Sequence, residues 1–434
     1  MRRVQAILLS ALLGIALSGC SANDPSGVGA YSASSPAATS QPRPVDLTHG
    51  LGHFTARFYP ALAAEAGPNE NLFISPLSLS QGLGLAWLGG SGRTAEELRT
   101  VLGWQEHESA ALTSQYNGFL IKTDDPQVEL RVANALWLAS TLPVRREYLT
   151  AAKAAYDAEP AQVDFRSAPE DAARRINGWV SDRTKGRIAQ IVEASQFDAA
   201  TAAVLTNAVY FKADWQTPFD KNAEGTFVTG DGTKKPVTLM ERVAPMQFRE
   251  TSEGQAVALP YGNGRYVMEV FLPRSAATLR RWEQNLQGLT FFDGEQGSDG
   301  RFDLSAAKVQ TILLRLPRFE ARLNSSANRA LIAAGMPCAF NKGCASFDRI
   351  APLPMKIDDV AHATFLRVDD EGTEAAAATA VRIVVVGGRV VPDDIPRMLV
   401  DRPFLVTIRD RASGALIFFG RIADPVAVTP MVEP

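Results

Sequence analysis

Cysteine and histidine are scarce, at 3 and 4 copies in 434 residues. So few thiols exclude a disulfide-framed scaffold, and no cluster has the spacing of a zinc site. His49 and His53 lie four apart, a spacing that can hold a metal. No third ligand stands near them, so they read as a solvated helix face and no metal is expected. An excess of one charge is missing too. Lys and Arg number 44 against 47 Asp and Glu, a net −3, which leaves no basic face for nucleic acid. The apolar run Ile7 to Leu17 is too short to span a bilayer as a stable helix. Nucleophile-elbow, P-loop, dinucleotide and His-Glu-x-x-His motifs are absent. Gly89-Gly90-Ser91-Gly92 comes nearest to an elbow, but Arg93 stands where its second glycine is required. Neither a cofactor nor enzyme chemistry is expected.

What is present begins with a leader. Arg2 and Arg3 precede the apolar run, which ends Leu17-Ser18-Gly19-Cys20 and resembles the lipobox of bacterial lipoproteins. That resemblance implies cleavage before Cys20 and lipidation of its sulfur, hence a cell-envelope protein anchored to a membrane and facing periplasm or exterior. Residues 21 to 45 are rich in Ser, Ala, Pro and Gly and cannot bury a core, so they read as a disordered tether. The expected organisation is signal peptide 1–19, lipidated Cys20 with its tether to 45, and one folded domain from 46 to 434.

Within that domain, Leu51, Phe54, Phe58 and Leu62 recur at helical spacing and predict a helix over 46–62. Asn71 to Ser75 reads as a strand halted by Pro76, followed by an apolar helix to about Gly89. Thr94-x-x-Glu97 and Ser167-x-x-Glu170 read as capping boxes. Leu130 to Ala139 is apolar on both alternations, as a central strand covered on two faces is, and Ala202 to Trp215 reads as a long strand. Residues 256–273 predict a hairpin, and Val360 to Val368 a strand.

The stretch after that strand is in conflict with itself. Gly372-Thr373-Glu374-Ala375-Ala376-Ala377-Ala378-Thr379 holds nothing bulky, and its Ala run favours a helix. Ile383 to Val391 is β-branched around Gly387-Gly388 and favours a hairpin. A segment that is exposed in one state and a central strand in another reconciles the two, because small side chains enter a packed sheet without overfilling it.

Those eight residues resemble the reactive-loop hinge of inhibitory serpins. The likeness extends through Asn71–Ser80, Ile176–Ile188, Leu205–Trp215, Leu331–Phe340 and Met398–Ile408, essentially the whole of 46–425. It implies an α+β fold with three β-sheets, about eight or nine helices, an exposed reactive-centre loop and a metastable native state. It places Ser75, Ser78, Asn207, His362 and Trp215 where the main sheet parts, and 176–188 in a helix across the front of that sheet. Counting from the hinge puts the scissile bond at Val386-Gly387, with Arg389-Val390 as the alternative. The implied activity is suicide inhibition of a serine or cysteine protease, with Val386 favouring elastase- or subtilisin-like targets. A non-inhibitory scaffold serpin in the cell envelope is the alternative. Residues 106–121 lack the Lys/Arg cluster of heparin-activated members, so no polyanion is expected, and the chain reads as a monomer. Cys338 and Cys344 are not usual in the family. Outside the cytoplasm they are expected to pair in a local disulfide.

Overall fold

The computed structural model describes residues 47–104, 125–156, 158, 160–286, 304, 307–373 and 394–425. All fall within one compact unit, Pro44–Pro434. Seven α-helices lie among the described residues, against the eight or nine expected: α1 (Leu47–Glu65), α2 (Pro76–Gly89), α3 (Gly92–Leu102), α4 (Arg146–Tyr156), α5 (Pro169–Arg183), α6 (Ala276–Gln284) and α7 (Asn328–Ala334). Two helix starts differ from the capping-box reading. Helix α3 follows Ser91, while Thr94 is buried inside it with its hydroxyl accepting from the Ser346 amide at 3.0 Å. Helix α5 starts at Pro169, whose fixed φ suits the first helical position.

Fifteen strands are described: β1 (Leu72–Ile74), β2 (Val128–Ala139), β3 (Ala161–Val163), β4 (Ala203–Asp214), β5 (Lys221–Val228), β6 (Lys234–Glu250), β7 (Gly254–Pro260), β8 (Tyr266–Pro273), β9 (Val309–Pro317), β10 (Phe319–Ser326), β11 (Asp359–Val368), β12 (Gly372–Thr373), β13 (Arg397–Leu399), β14 (Phe404–Asp410) and β15 (Leu416–Ile422). They pair into two connected groups, so the three sheets expected are not cleanly separated. One has six strands in the order β10-β11-β12-β4-β2-β3, and the other runs β1-β15-β14-β8-β7-β6-β9-β13 with β5 on β6. The merger has one cause. Strand β6 is 17 residues long; its residues 239–247 pair with β9 and its last three with β7, so two ladders share one strand.

The six-stranded sheet is covered on both faces. Helix α2, capped by Ser75 and preceded in the cap by no charged group, is buried along nearly its whole length and contacts β2, β4 and β15. On that side Leu136, Leu205 and Val360 join one core cluster, while Val209, Phe211 and Leu366 pack among residues of the nine-stranded sheet. Helix α5 lies on the opposite face, where Ile176 and Val180 meet Ala133, Ala208, Ala361 and Ala363.

Cys338 and Cys344 form a disulfide with Cα atoms 5.3 Å apart. It closes a loop that packs on the start of α3: the Cys338 amide donates to Glu97 Oε2 at 2.8 Å, and Ser91 and Ser346 hydroxyls meet at 2.7 Å. Closing so short a loop contributes about 2 kcal/mol on the chain-entropy account. A Cys338→Ser variant should lose about that much in equilibrium denaturation of the intact form. Two titratable thiols in the denatured, unreduced parent would show that the bond does not form.

Candidate functional site

Strands β4 and β11 are neighbours and parallel, in register from Val204 opposite Asp359 to Tyr210 opposite Phe365. Parallel pairing is slightly the weaker kind per residue. Above Phe365 the strands separate and β12 fills the space, antiparallel to both. Thr373 lies opposite Val368 on one side and Ala213 on the other, and Gly372 lies opposite Asp214. A Cβ on Gly372 would stand 2.1 Å from the Ala213 carbonyl oxygen, so only glycine admits the chain there.

The upper end of this seam is held by aromatic and polar contacts. Thr373 is fully buried, and its hydroxyl meets the Tyr261 hydroxyl at 2.5 Å. Burial pushes the Tyr261 pKa well above its ordinary value, so that hydroxyl keeps its proton. Trp215 stacks on Tyr261 with ring centroids 4.3 Å apart, donates from Nε1 to the Asp369 carbonyl at 2.9 Å, and donates from its backbone to Glu371 at 2.7 Å. The Asp369 carboxylate accepts from the amides of Glu371 and Gly372 at 3.1 and 3.3 Å, which fixes the turn into β12. Arg318 forms an ion pair with Asp370 beside it.

Lower down, a buried polar chain ties the seam to α2. The Ser75 amide donates to His362 Nε2 at 3.2 Å. That leaves the ring proton on Nδ1, which donates to Asn207 Oδ1 at 2.6 Å. Asn207 Nδ2 donates to Asn134 Oδ1, and Asn134 Nδ2 donates to Gln81 Oε1 at 3.1 Å. Ser78 joins from its hydroxyl to Asn134 Oδ1 at 3.1 Å, and Ser75 Oγ donates to the Ile417 carbonyl at 2.7 Å. One continuous network thus links β2, β4, β11, α2 and β15. Its satisfied members bond more strongly in a low dielectric than they would in water.

The structure brings Ser75, Ser78, Asn207 and His362 together, and sets Trp215 apart at the upper end beside Gly372 and Thr373. Sequence reasoning missed Asn134, Gln81, Tyr261 and Arg318. Asn134 had left a signal. It sits in the apolar alternation Leu130, Val132, Leu136, Leu138 of β2, where an amide has no reason to be unless partnered. Glu374, Ala375, Ala376, Ala377, Ala378 and Thr379 lie outside the described residues, as do Val386, Gly387, Arg389, Val390, Cys20 and residues 106–121.

A sheet covered on two faces, with a parallel seam wedged at its upper end by Gly372 and Thr373, defines a class. The family model "Serpin (serine protease inhibitor)" matches residues 49–425, and the chain belongs to that family. Among its relatives, an uncharacterized serpin-like protein of Thermococcus kodakarensis is 33% identical over 404 residues, covering 89% of this chain and 87% of its own. The leukocyte elastase inhibitor of Equus caballus is 30% identical over 379 residues, 86% of this chain and 98% of its own. Two solved structures, both 24% identical, share the fold. Native tengpin, a thermophilic serpin, matches with TM-score 0.75 over 87% of this chain and 94% of its own. Uncleaved ovalbumin matches with TM-score 0.74 over 88% and 100%.

Burial lowers the His362 pKa to about 3, against an ordinary value near 6.5. The closed seam therefore carries a neutral ring, while an opened seam lets the ring protonate. The ring's favourable contribution to closure is complete above about pH 6.5 and declines as pH falls from there towards 3. Every other side chain of the network is uncharged, so the dependence belongs to His362. Amide exchange of residues 204–210 and 359–365, corrected for intrinsic rate, should quicken about tenfold in equilibrium constant between pH 7.5 and 5.5. A His362→Gln variant that kept the same pH slope would contradict this assignment.

Proposed function

We propose that this chain is a suicide inhibitor of elastase- or subtilisin-like serine proteases, acting by insertion of its cleaved reactive loop into the six-stranded sheet. The carrying observation is that Gly372 and Thr373 already pair between β4 and β11, antiparallel to both. Continuing that register brings Ala375, Ala377, Thr379, Val381 and Ile383 to the face shared with Thr373, towards α2 and the second sheet. Ala376, Ala378 and Ala380 come to the face under α5, among the alanines already there. Thr379 would arrive between Asn207 and His362, offering its hydroxyl to the pair that its entry separates. Glu374, the one charged residue of the hinge, would face outward. Every side chain of the segment suits the slot it would meet.

The chemistry is the protease's own. Its serine attacks the Val386 carbonyl, the bond to Gly387 breaks, and the amine leaves as a new N-terminus while Val386 remains esterified. Insertion from Asp370 to Val386 at roughly 3.3 Å per residue carries the linked enzyme about 50 Å. Traction of that extent displaces the oxyanion-hole donors before water can deacylate the ester. The inhibitor is spent in one encounter and does not turn over. The small β-branched Val386 and the similarity to an inhibitor named for leukocyte elastase support the choice of target. In the same reading Cys20 is lipidated and the domain stands off a bacterial membrane on its tether.

The decisive experiment incubates the purified domain with elastase, subtilisin, trypsin and chymotrypsin. The expected product is an elastase or subtilisin complex that survives boiling in detergent, with a released fragment beginning at Gly387. A trypsin complex and a fragment beginning at Val390 would move the bond to Arg389, and no stable complex with any enzyme would favour the scaffold alternative. A Thr373→Arg variant should be cleaved without forming complex, because an arginine cannot hold the fully buried slot that Thr373 occupies at the start of the inserting strand without a cost of several kcal/mol. Undiminished complex from that variant would rule out strand insertion. For the anchor, Cys20→Ala expressed in a bacterial host should leave the membrane fraction, and equal retention would refute lipidation.

A further inference from the structure

A cavity of about 280 Å³ opens at the lower end of the seam, lined among others by Glu193, Gln196, Asn324, Ser326, Asp359 and Ala361. It lies on the α5 face, because Ala361 packs there with Ala208 and Ile176 and Asp359 shares the parity of Ala361 along β11. Asp359 accepts from Ser326 Oγ at 2.5 Å, and burial, then the neighbouring Asp358 charge, raises its pKa against the pull of that bond. Among the described residues no lysine or arginine forms an ion pair with Asp359. Asp358 differs: it has Lys356 at 2.5 Å and the Ala202 amide at 2.6 Å. Asp359 is therefore a half-buried carboxylate at a cavity wall with a hydroxyl partner and no counter-charge.

The register of β12 says what would supply one. Thr373 is opposite Val368 of β11 and Ala213 of β4. The same antiparallel register carried down the seam sets Arg382 opposite Asp359 and Val204. Residues directly opposite one another in a sheet point to the same face, so the Arg382 side chain would leave the strand on the α5 face, at the cavity. Arg382 is the one cation between Gly372 and Gly387. Its guanidinium carries five donors, and the cavity wall offers the Asp359 carboxylate and the Asn324 side chain, while Glu193 and Gln196 already bond one another's backbone in a capping box.

We propose that this cavity is a preformed receptor for the Arg382 guanidinium, filled only when the cleaved loop has inserted to its lower end. This rests on the insertion mechanism proposed above. The ion pair with Asp359 would then form late, after the polar network has parted and closed around Thr379, and would hold the inserted strand against withdrawal. Among the described residues of the intact protein the same carboxylate has hydrogen-bond donors but no cation, so pairing on insertion would favour the inserted state.

The test compares intact and loop-cleaved protein, with the cut verified by mass to lie after residue 382. Thermal midpoints are read at one fixed guanidinium concentration for the parent, Arg382→Gln, Asp359→Asn and the double variant. The parent should gain stability on cleavage. Each single variant should keep most of that gain but lose about 2–4 °C of it, and the double variant should lose no more than either single, because both remove one pair. A gain unchanged by Arg382→Gln, or losses that simply add in the double variant, would overturn the receptor while leaving insertion intact. A parent that gains nothing on cleavage would overturn both.

Discussion

One hydrogen bond, from His362 Nδ1 to Asn207 Oδ1 at 2.6 Å, crosses the seam on which the molecule's behaviour depends. It is side-chain glue across a parallel pair, whose backbone ladder is already the less favourable kind. Both residues are fully buried, so neither can exchange its partner for water while the seam is shut. In the proposed insertion, a newcomer with a hydroxyl in the right place would take over the same acceptor and donor, leaving little polar desolvation unanswered.

The surroundings are consistent with that single constraint. Ser75 presents its backbone amide to His362 because it is the cap of α2, and its side chain accepts from the Ser78 amide at 3.2 Å. A helix terminus leaves such groups without intrahelical partners, and here one of them is used to set the tautomer of a ring on another element. Asn134 and Gln81 extend the chain of bonds. The upper wedge, Gly372 with Thr373 against Tyr261, is independent of this network and sits between β4 and β11.

Much of this was legible in the sequence, though unevenly. Strand β2 announced itself as apolar on both alternations, and β4 and β11 were legible as strands from their long apolar runs. Ser75, Asn207 and His362 were recognisable through the family resemblance, which implies a place for them where the main sheet parts. Tyr261 and Arg318 were not recognisable, since an aromatic and an arginine in mid-sequence have many ordinary uses and their meeting with Thr373 and Asp370 is set by chain crossings far apart. The three expected sheets are not cleanly separated at β6. Nothing local distinguishes a strand that ends one ladder from a strand that continues into another, and Pro245 within it falls at a place where the pairing with β9 still holds.

The alanines beneath α5 have a mechanical meaning. Hydrophobic adhesion scales with the apolar area two surfaces cover, and Ala133, Ala208, Ala361 and Ala363 present little of it to Ile176 and Val180. On the other face Leu205, Leu136, Phe211 and Leu366 are set deep against a helix and a second sheet. The two coverings therefore differ in grip. A disturbance that lifts the front helix exposes the alanine methyls and the Trp137–Trp179 contact at its flank, whereas one that lifts the back would expose much of the protein's core. If the strands part as proposed, the front cover would yield, the rear cover would serve as the anvil, and the strands between them would slide apart in their own plane.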